Sequence, residues 1–184
     1  SQKPGFVGIP AGPEVCIMDT NNKILNQGEE GEVCIRGENV TSGYENNPDA
    51  NKNSFSNGWF RTGDQGYFDK DGYLKISGRL KEIINKGGEK ISPLEVDNIL
   101  MDHPNIEQAV CFGYEDKMLG EDIATAIIIK EGMKCTEDDI KIYANEKLAK
   151  FKIPKKIFFV NEIPKGATGK LQRNTLAKKF GLVN

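Results

Sequence analysis

The first part of the chain alternates short apolar runs with turn-forming residues, a pattern typical of β-hairpins. The run VCIMD at residues 15–19 is followed by Asn21 and Asn22, and the run EVCIRG occupies residues 32–37. Residues 66–69 and 73–77 flank the pair Asp71-Gly72, which suits a tight turn with positive φ. The first 80 residues are therefore predicted to be mainly β and rich in glycine.

Beyond residue 80 the apolar spacing changes to that of helices and buried strands. Ser92 can cap a helix that has Pro93 at its first position, and Glu95 can bond back to the cap. The inward stripe of this helix consists of Val96, Ile99 and Leu100, and His103-Pro104 ends the helix. Residues 109–113 and 123–130 have the continuous apolar pattern of buried strands.

A second helix is predicted from the cap Thr136 to about residue 149, with Ile140, Tyr143 and Leu148 facing inward. Residues 157–160 form a further strand in this interpretation. The order helix, strand, strand, helix, strand predicts a compact unit of about a hundred residues and an α+β fold. We expect two domains, a β-rich subdomain at 1–80 and a mixed α/β domain at 81–184.

Composition favours a globular, soluble chain, since 38% of the 184 residues are hydrophobic and no apolar run is long enough for a membrane span. The chain begins at Ser1 without the pattern of a signal peptide, so we expect a piece of a longer protein. Its last residues differ from a peroxisomal address, and a cytoplasmic location is expected. The four dispersed cysteines predict reduced thiols and no metal site, with Cys34 and Cys111 in the core.

Charge is unevenly distributed although the formal net charge is only −2. Residues 147–184 contain ten Lys and Arg against one acid, Glu162. Such a run is most often a solvated face, and it lacks the interleaved aromatic residues that favour binding to single-stranded nucleic acid. The phosphates of a nucleotide or of coenzyme A are plausible partners, because clustered lysines attract a polyanion.

Three glycine-rich polar segments carry the candidate chemistry. They are WFRTGD at 59–64, GRLKEIINKGGEKISP at 78–93 and PKGATGK at 164–170. In this order the segments resemble the adenylate-forming superfamily of acyl-CoA synthetases, luciferases and nonribosomal-peptide adenylation domains. The stretch from Gly31 to Gly43-Tyr44 resembles the preceding motif of that superfamily, so the resemblance extends over nearly the whole chain.

The resemblance implies that Asp64 and Arg79 contact the ribose of ATP or AMP. A carboxylate can accept hydrogen bonds from both ribose hydroxyls, and a guanidinium can donate to them. Taken alone, Asp64 would be a turn residue and Arg79 a surface ion pair. The resemblance also places Lys81 at the hinge before a mobile C-terminal domain, and it assigns Lys81 and Lys90 to the nucleotide site, Lys90 only weakly.

Within residues 85–90, which we interpret as a loop before the helix, Gly87 and Gly88 match glycines that line the tunnel for the pantetheine arm of coenzyme A, although a β-turn needs glycine too. Lys170 matches the lysine that bridges the substrate carboxylate and the α-phosphate while the adenylate forms. An ammonium in a dry cleft would stabilise the charge that gathers there. Relatives usually read Pro-Lys-Thr where this chain has Gly166, a change expected to loosen the loop by about 0.5–1 kcal/mol.

The resemblance implies an ATP-dependent acid:CoA ligase that forms an acyl-adenylate, releases pyrophosphate and then makes acyl-CoA. The segments GGEKISP, residues 47–52 and FKIPK at 151–155 look most like the oxalate:CoA ligase and 4-coumarate:CoA ligase branch. The substrates would be a small carboxylic acid, ATP and coenzyme A, with Mg²⁺ ligands, phosphate loop and acyl pocket in the protein's own N-terminal region. This piece alone would be inactive. The alternatives are a luciferase-like or carrier-loading adenylating enzyme, or a non-catalytic nucleotide-binding module.

Overall fold

The computed structural model describes residues 3–38, 40, 54–166 and 169–182. Three stretches on which the resemblance to the superfamily partly rests lie outside the described residues: Gly43-Tyr44, residues 47–52 and the pair Ala167-Thr168. The chain divides into two compact units, Ser1–Lys81 and Glu82–Asn184. Their assignment to the end of an N-terminal region and a mobile C-terminal domain stays a prediction.

The first unit is an antiparallel sheet built around one long strand. Its strands are β1 (Glu14–Met18), β2 (Gly31–Arg36), β3 (Phe55–Ser56), β4 (Trp59–Phe68) and β5 (Leu74–Arg79). Strand β4 pairs with β2 on one side and with both β3 and β5 on the other. Both predicted hairpins are confirmed, with Asn22 and Gly72 at positive φ in the turns. A third hairpin, β3–β4, turns at Asn57-Gly58 and was not predicted.

The second unit is a mixed sheet with helices on both faces. Its strands are β6 (Ile84–Lys86), β7 (Glu89–Ile91), β8 (Ile106–Asp116), β9 (Gly120–Ile129) and β10 (Lys156–Phe159). Its described helices are α1 (Pro93–Met101), α2 (Glu137–Lys147) and α3 (Arg173–Lys179). Strand β9 pairs with β8 in antiparallel and with β10 in parallel orientation. The predicted α+β class is confirmed.

Alternation along β8 explains the continuous apolar run of this strand. Ala109 and Cys111 face the cluster that includes residues of α1 and α2, whereas Val110 and Phe112 face the cluster that includes Leu176 of α3. Because both faces of the strand are covered, polar residues would be costly at either set of positions. Cys34 and Cys111 are fully buried, as predicted for core residues.

The two helix starts differ from each other in their capping. Thr136 accepts a hydrogen bond from the backbone N–H of Asp139, and the Asp139 carboxylate bonds back to Thr136, so α2 has a full capping box. Ser92 is the N-cap residue of α1 and Pro93 follows it as predicted, but the Ser92 side chain makes no capping hydrogen bond. The Glu95 carboxylate instead binds the Lys152 ammonium at 2.7 Å. Tyr143, predicted to face inward, is only half-buried.

Candidate nucleotide and acyl-transfer residues

Strand β4 is irregular where it carries Asp64. Between the pairs Glu32–Gln65 and Cys34–Arg61 of the β2–β4 ladder, β2 has one residue and β4 has three. We call these three residues, Thr62, Gly63 and Asp64, the Asp64 bulge. Gly63 has φ 74°, a left-handed conformation that favours glycine. The segment WFRTGD therefore lies within a strand, and its glycine permits the irregularity.

A buried carboxylate holds the Asp64 bulge. Glu32 is 7% exposed, and its Oε1 accepts the backbone N–H of Gly63 at 3.0 Å. Its Oε2 accepts Nε–H of Arg61 at 2.7 Å, and this contact raises the pKa of the Arg61 guanidinium. The Thr62 hydroxyl donates to the carbonyl of Val33 at 2.8 Å and accepts the N–H of Asp64 at 3.1 Å. The backbone on both sides of Asp64 is thus fixed by side chains.

Asp64 and Arg79 are brought together on adjacent strands. They are register partners in the β4–β5 ladder, and Nε of Arg79 lies 3.2 Å from Oδ1 of Asp64. The Asp64 side chain is 28% exposed and that of Arg79 is 55% exposed. A carboxylate beside a guanidinium, both open to solvent, supplies the acceptor and the donors that a ribose diol needs.

Gly87 and Gly88 form the two-residue turn of the β6–β7 hairpin, and the sequence-based interpretation of residues 85–90 as a loop is wrong. Their φ values are 60° and 92°, so both central positions need the left-handed region. The N–H of Gly87 donates to the carbonyl of Leu119 at 2.7 Å. A Cβ on Gly88 would meet no atom within 4 Å, so space is open above this turn.

The hairpin is attached to the beginning of β9 by two carboxylates, those of Glu121 and Asp122. Nζ of Lys86 lies 2.6 Å from Oδ1 of Asp122, which is 1% exposed. The N–H of Asn85 donates to Oε2 of Glu121 at 2.6 Å. Lys90 is exposed and pairs with Asn85 across the hairpin, so Lys90 shares one short element with Gly87 and Gly88.

Lys170 lies in another segment of the second unit, just before α3. The N–H of Gly166 donates to the carbonyl of Lys170 at 2.9 Å, and the N–H of Gly169 donates to the carbonyl of Gly166 at the same distance. Lys170 is exposed. Lys81 is also exposed, in the short 3₁₀ turn Leu80–Glu82 where the first unit ends.

Three charged residues beside these segments, two of them buried and one partly buried, were assigned no role from the sequence. Glu32, Asp97 and Arg173 have side chains that are 8%, 4% and 11% exposed. The available signal was position: Asp97 follows Val96 on the apolar face of α1, where a charged residue is unusual.

The thiols of the core are not placed to act as nucleophiles. Burial raises the pKa of Cys34 to about 12 and that of Cys16 to about 11, so the reactive thiolate is disfavoured. In the described ranges no group of three or more His, Cys, Asp and Glu side chains could hold a metal ion. No helix in the described part of the chain is long and apolar enough to cross a membrane.

Comparison with known proteins agrees with the resemblance of the three segments. Residues 95–170 match the family described as AMP-binding enzyme C-terminal domain. The chain is 53% identical over 178 residues to an oxalate–CoA ligase of Arabidopsis thaliana and 52% identical over 181 residues to one of Saccharomyces cerevisiae. The chain belongs to the adenylate-forming superfamily of acyl-CoA synthetases.

Each of these two alignments covers 97% of the chain. The chain spans about a third of the length of each relative, 35% of the Arabidopsis protein and 33% of the yeast protein. Among solved structures, the chain is similar to an o-succinylbenzoate CoA synthetase from Bacillus subtilis in complex with its acyl-adenylate intermediate. That similarity has a TM-score of 0.86 at 36% identity, covering 95% of this chain and 36% of the other.

Proposed function

We propose that the protein containing this chain is an ATP-dependent acid:CoA ligase. In the first half-reaction a carboxylate oxygen attacks the α-phosphorus of ATP, which forms an acyl-adenylate and releases pyrophosphate. In the second, the thiol of coenzyme A attacks the acyl carbon and releases AMP. Oxalate is the first acid to test, because the two relatives described above are named for it.

In this proposal Asp64 and Arg79 bind the ribose of the nucleotide. The single observation that best supports the proposal is their pairing at 3.2 Å on adjacent strands, with side chains reachable from solvent. A structural ion pair alone would not need the Asp64 bulge, which breaks the regular ladder at that residue. Bulges of this kind commonly re-aim a side chain at functional sites.

Lys170 is proposed to stabilise the charge that develops as carboxylate and α-phosphate approach. Both reactants are anions, so a positioned ammonium lowers the energy of the transition state more than that of the separated reactants. Lys81 is proposed as the hinge residue, and Lys90 as a weaker nucleotide contact. The Gly87-Gly88 turn is proposed to leave room for the pantetheine arm, which the open space above Gly88 supports.

The proposal is tested by measuring the two half-reactions separately in the full-length protein. Lys170→Ala should lower ATP–pyrophosphate exchange by about 100- to 1,000-fold, the range found when one transition-state donor is removed. The matched control Lys178→Ala removes an exposed lysine of the last turn of α3 and should leave exchange unchanged. Equal activity of the Lys170 and Lys178 variants would contradict the proposed role of Lys170.

A second pair of variants separates thioester formation from adenylation. Gly88→Leu should block acyl-CoA production while retaining pyrophosphate exchange, because only the second half-reaction needs the space above the turn. Gly132→Leu is the control, since Gly132 also has positive φ, 76°, and open space at its Cβ but lies in another exposed turn. Loss of both half-reactions in the Gly88 variant would contradict the tunnel assignment.

An acceptor and acid panel distinguishes the ligase from its alternatives. Unsubstituted full-length protein would be supplied with ATP, Mg²⁺ and oxalate, 4-coumarate or short-chain acids, with and without coenzyme A. Acyl-CoA formation supports the ligase, whereas adenylation with transfer only to a carrier protein, or light emission, supports an alternative enzyme. Nucleotide binding without any pyrophosphate exchange would support the non-catalytic module.

A further inference from the structure

A partly buried arginine lies three residues after Lys170 and joins three parts of the second unit. Arg173 begins α3, and its side chain is 11% exposed. Its Nε lies 3.1 Å from Oε2 of Glu82, its Nη1 donates to the carbonyl of Cys111 at 2.8 Å, and its Nη2 lies 2.6 Å from Oδ2 of Asp97. We call these groups the Arg173 cluster.

The Asp97 carboxylate is held from two sides. It is 3% exposed, and its second oxygen, Oδ1, accepts the backbone N–H of Cys111 at 2.6 Å. Burial raises the pKa of Asp97, and the Arg173 guanidinium acts in the opposite direction. Arg173 and Asp97 together therefore bond to both the N–H and the carbonyl of Cys111 on β8.

This arrangement requires the planar fork of arginine. Three nitrogens of one guanidinium point in fixed directions at a carboxylate on α1, a carbonyl on β8 and the carboxylate of Glu82. The ammonium of a lysine is a single point charge on a flexible stem and cannot reproduce these three directions together. The geometry of the cluster thus fixes where α3 begins.

The position of the cluster in the chain links it to the proposed chemistry. Glu82 directly follows Lys81, and Arg173 is separated from Lys170 by two residues. Leu176, three residues beyond Arg173 and on the same face of α3, is fully buried in the cluster that includes Val110 and Phe112 of β8. Lys170 itself is exposed, so its position depends on the anchored residue nearest to it.

We infer that Arg173 is a positioning residue that holds Lys170 in place for adenylation. It does so through its contacts with Asp97, Glu82 and the backbone of Cys111. The inference rests on the proposed function of Lys170. A buried ion pair is weak grounds for stability, since an apolar replacement of similar volume is often as stable. The directed contacts to three separate elements favour positioning over a general contribution to stability.

The test compares Arg173→Met and Arg173→Lys in the full-length protein. Both variants should lower kcat for pyrophosphate exchange by at least about tenfold with KM for ATP changed less than about twofold, the split expected for lost positioning without lost binding. Arg173→Lys keeps the charge and guards against a variant that fails to fold. Lys152→Met, which breaks the ion pair to Glu95 of α1 at 2.7 Å, is the control and should leave both constants unchanged.

A second readout does not depend on activity. Hydrogen exchange at the N–H groups of Gly166 and Gly169, which bond to the carbonyls of Lys170 and Gly166, should accelerate by about tenfold in the Arg173 variants. Exchange in the centre of β9 should stay slow. Acceleration across the whole unit, or no acceleration near Lys170, would overturn the inference.

The outcomes separate the inference from the proposed function. Faster exchange near Lys170 with unchanged kcat would overturn positioning while leaving the ligase proposal in place. An unsubstituted protein without pyrophosphate exchange would overturn the ligase proposal and the inference together. Faster local exchange with a lowered kcat supports both.

Discussion

The two units hold their candidate residues in different ways. Asp64 and Arg79 of the first unit lie in paired strands, where the ladder and the Glu32 carboxylate determine the backbone at the functional position itself. Lys170 of the second unit lies outside the helices and strands, and we infer that it is held through Arg173, which binds Cys111 and Asp97. A strand orients a side chain directly, whereas an anchored turn depends on the strength of its nearest buried contact.

The two units also differ in the size of their buried apolar clusters. Among the residues that the structure describes, the buried clusters of the first unit contain four and three residues, and those of the second contain thirteen and seven. With less apolar burial in the first unit, a polar contact such as that of Glu32 carries a larger share of local order. We therefore expect the first unit to respond more strongly to the loss of one buried charge.

Among the substitutions that test this difference between the units, Glu32→Ala is expected to have the largest effect on stability. The change leaves the Gly63 N–H unsatisfied and removes the carboxylate partner of Arg61, which should destabilise the first unit by about 2–4 kcal/mol. Urea unfolding followed by fluorescence of Trp59, the single tryptophan of the chain, measures this unit. Glu14→Ala, which breaks an exposed pair with Arg36 at 2.6 Å, should shift the urea midpoint much less than Glu32→Ala does, because solvent screens that pair. Similar midpoints for the two variants would contradict the role of Glu32.

One glycine from each unit allows a direct comparison, and the expected loss of stability is smaller than for Glu32→Ala. A Cβ at Gly66 in β4 would lie 2.4 Å from the carbonyl oxygen of Lys75, so Gly66→Ala must displace backbone and should cost about 1–3 kcal/mol. For a Cβ at Gly166 the three nearest atoms would all belong to the end of the Gln172 side chain, at 2.6–2.9 Å. Gly166→Ala should stay within about 0.5 kcal/mol, because that exposed side chain can rotate away. Chemical denaturation of both variants measures the difference, and equal costs would contradict it.

The smallest effect is a pH dependence in the second unit. The pKa of Asp116 falls from 3.8 to about 2, because Lys155 binds the carboxylate and the N–H groups of Met118 and Leu119 donate to it. The stability that Asp116 contributes is therefore fully present above about pH 4 and is lost as the pH falls toward 2.

Asp116→Asn should accordingly lower the free energy of unfolding at pH 6, and the difference from the unsubstituted chain should shrink toward pH 2. Urea titrations at pH 6, 4 and 2.5 measure this difference. Lys155→Met should reproduce part of the same pH dependence, since it removes the largest cause of the shift. A difference that does not change with pH would rule out this origin.

Much of the fold followed from local patterns. The hairpins at Asn21-Asn22 and Asp71-Gly72, the two helices after residue 90 and the α+β class were predicted correctly, because apolar period and turn chemistry act over a few residues. Asn57-Gly58 carried a clear turn signal that was not used. The short helix α3 was missed since its seven residues hold one fully buried position, Leu176, and no capping pattern.

The candidate site was predictable only as a set of residues. Motif order selected Asp64, Arg79, Gly87, Gly88 and Lys170, but their functional roles stay predictions. The Gly87-Gly88 turn was interpreted as a loop because β6 and β7 have only three residues each, too few to show a strand period. Glu32 and Asp97 were not assigned roles, since a carboxylate in a sequence does not reveal which backbone group it will meet.

By itself, the sequence determined the two longer helices, most of the longer strands, the units' approximate extents and the superfamily, because these depend on local pattern and motif order. Only the tertiary structure decided that Asp64 lies in a bulge held by Glu32, and that Arg173 binds Asp97, Glu82 and Cys111 together. These contacts join residues separated by 31 to 91 positions along the chain. Their geometry depends on strand register and helix packing, and neither can be deduced from a single segment.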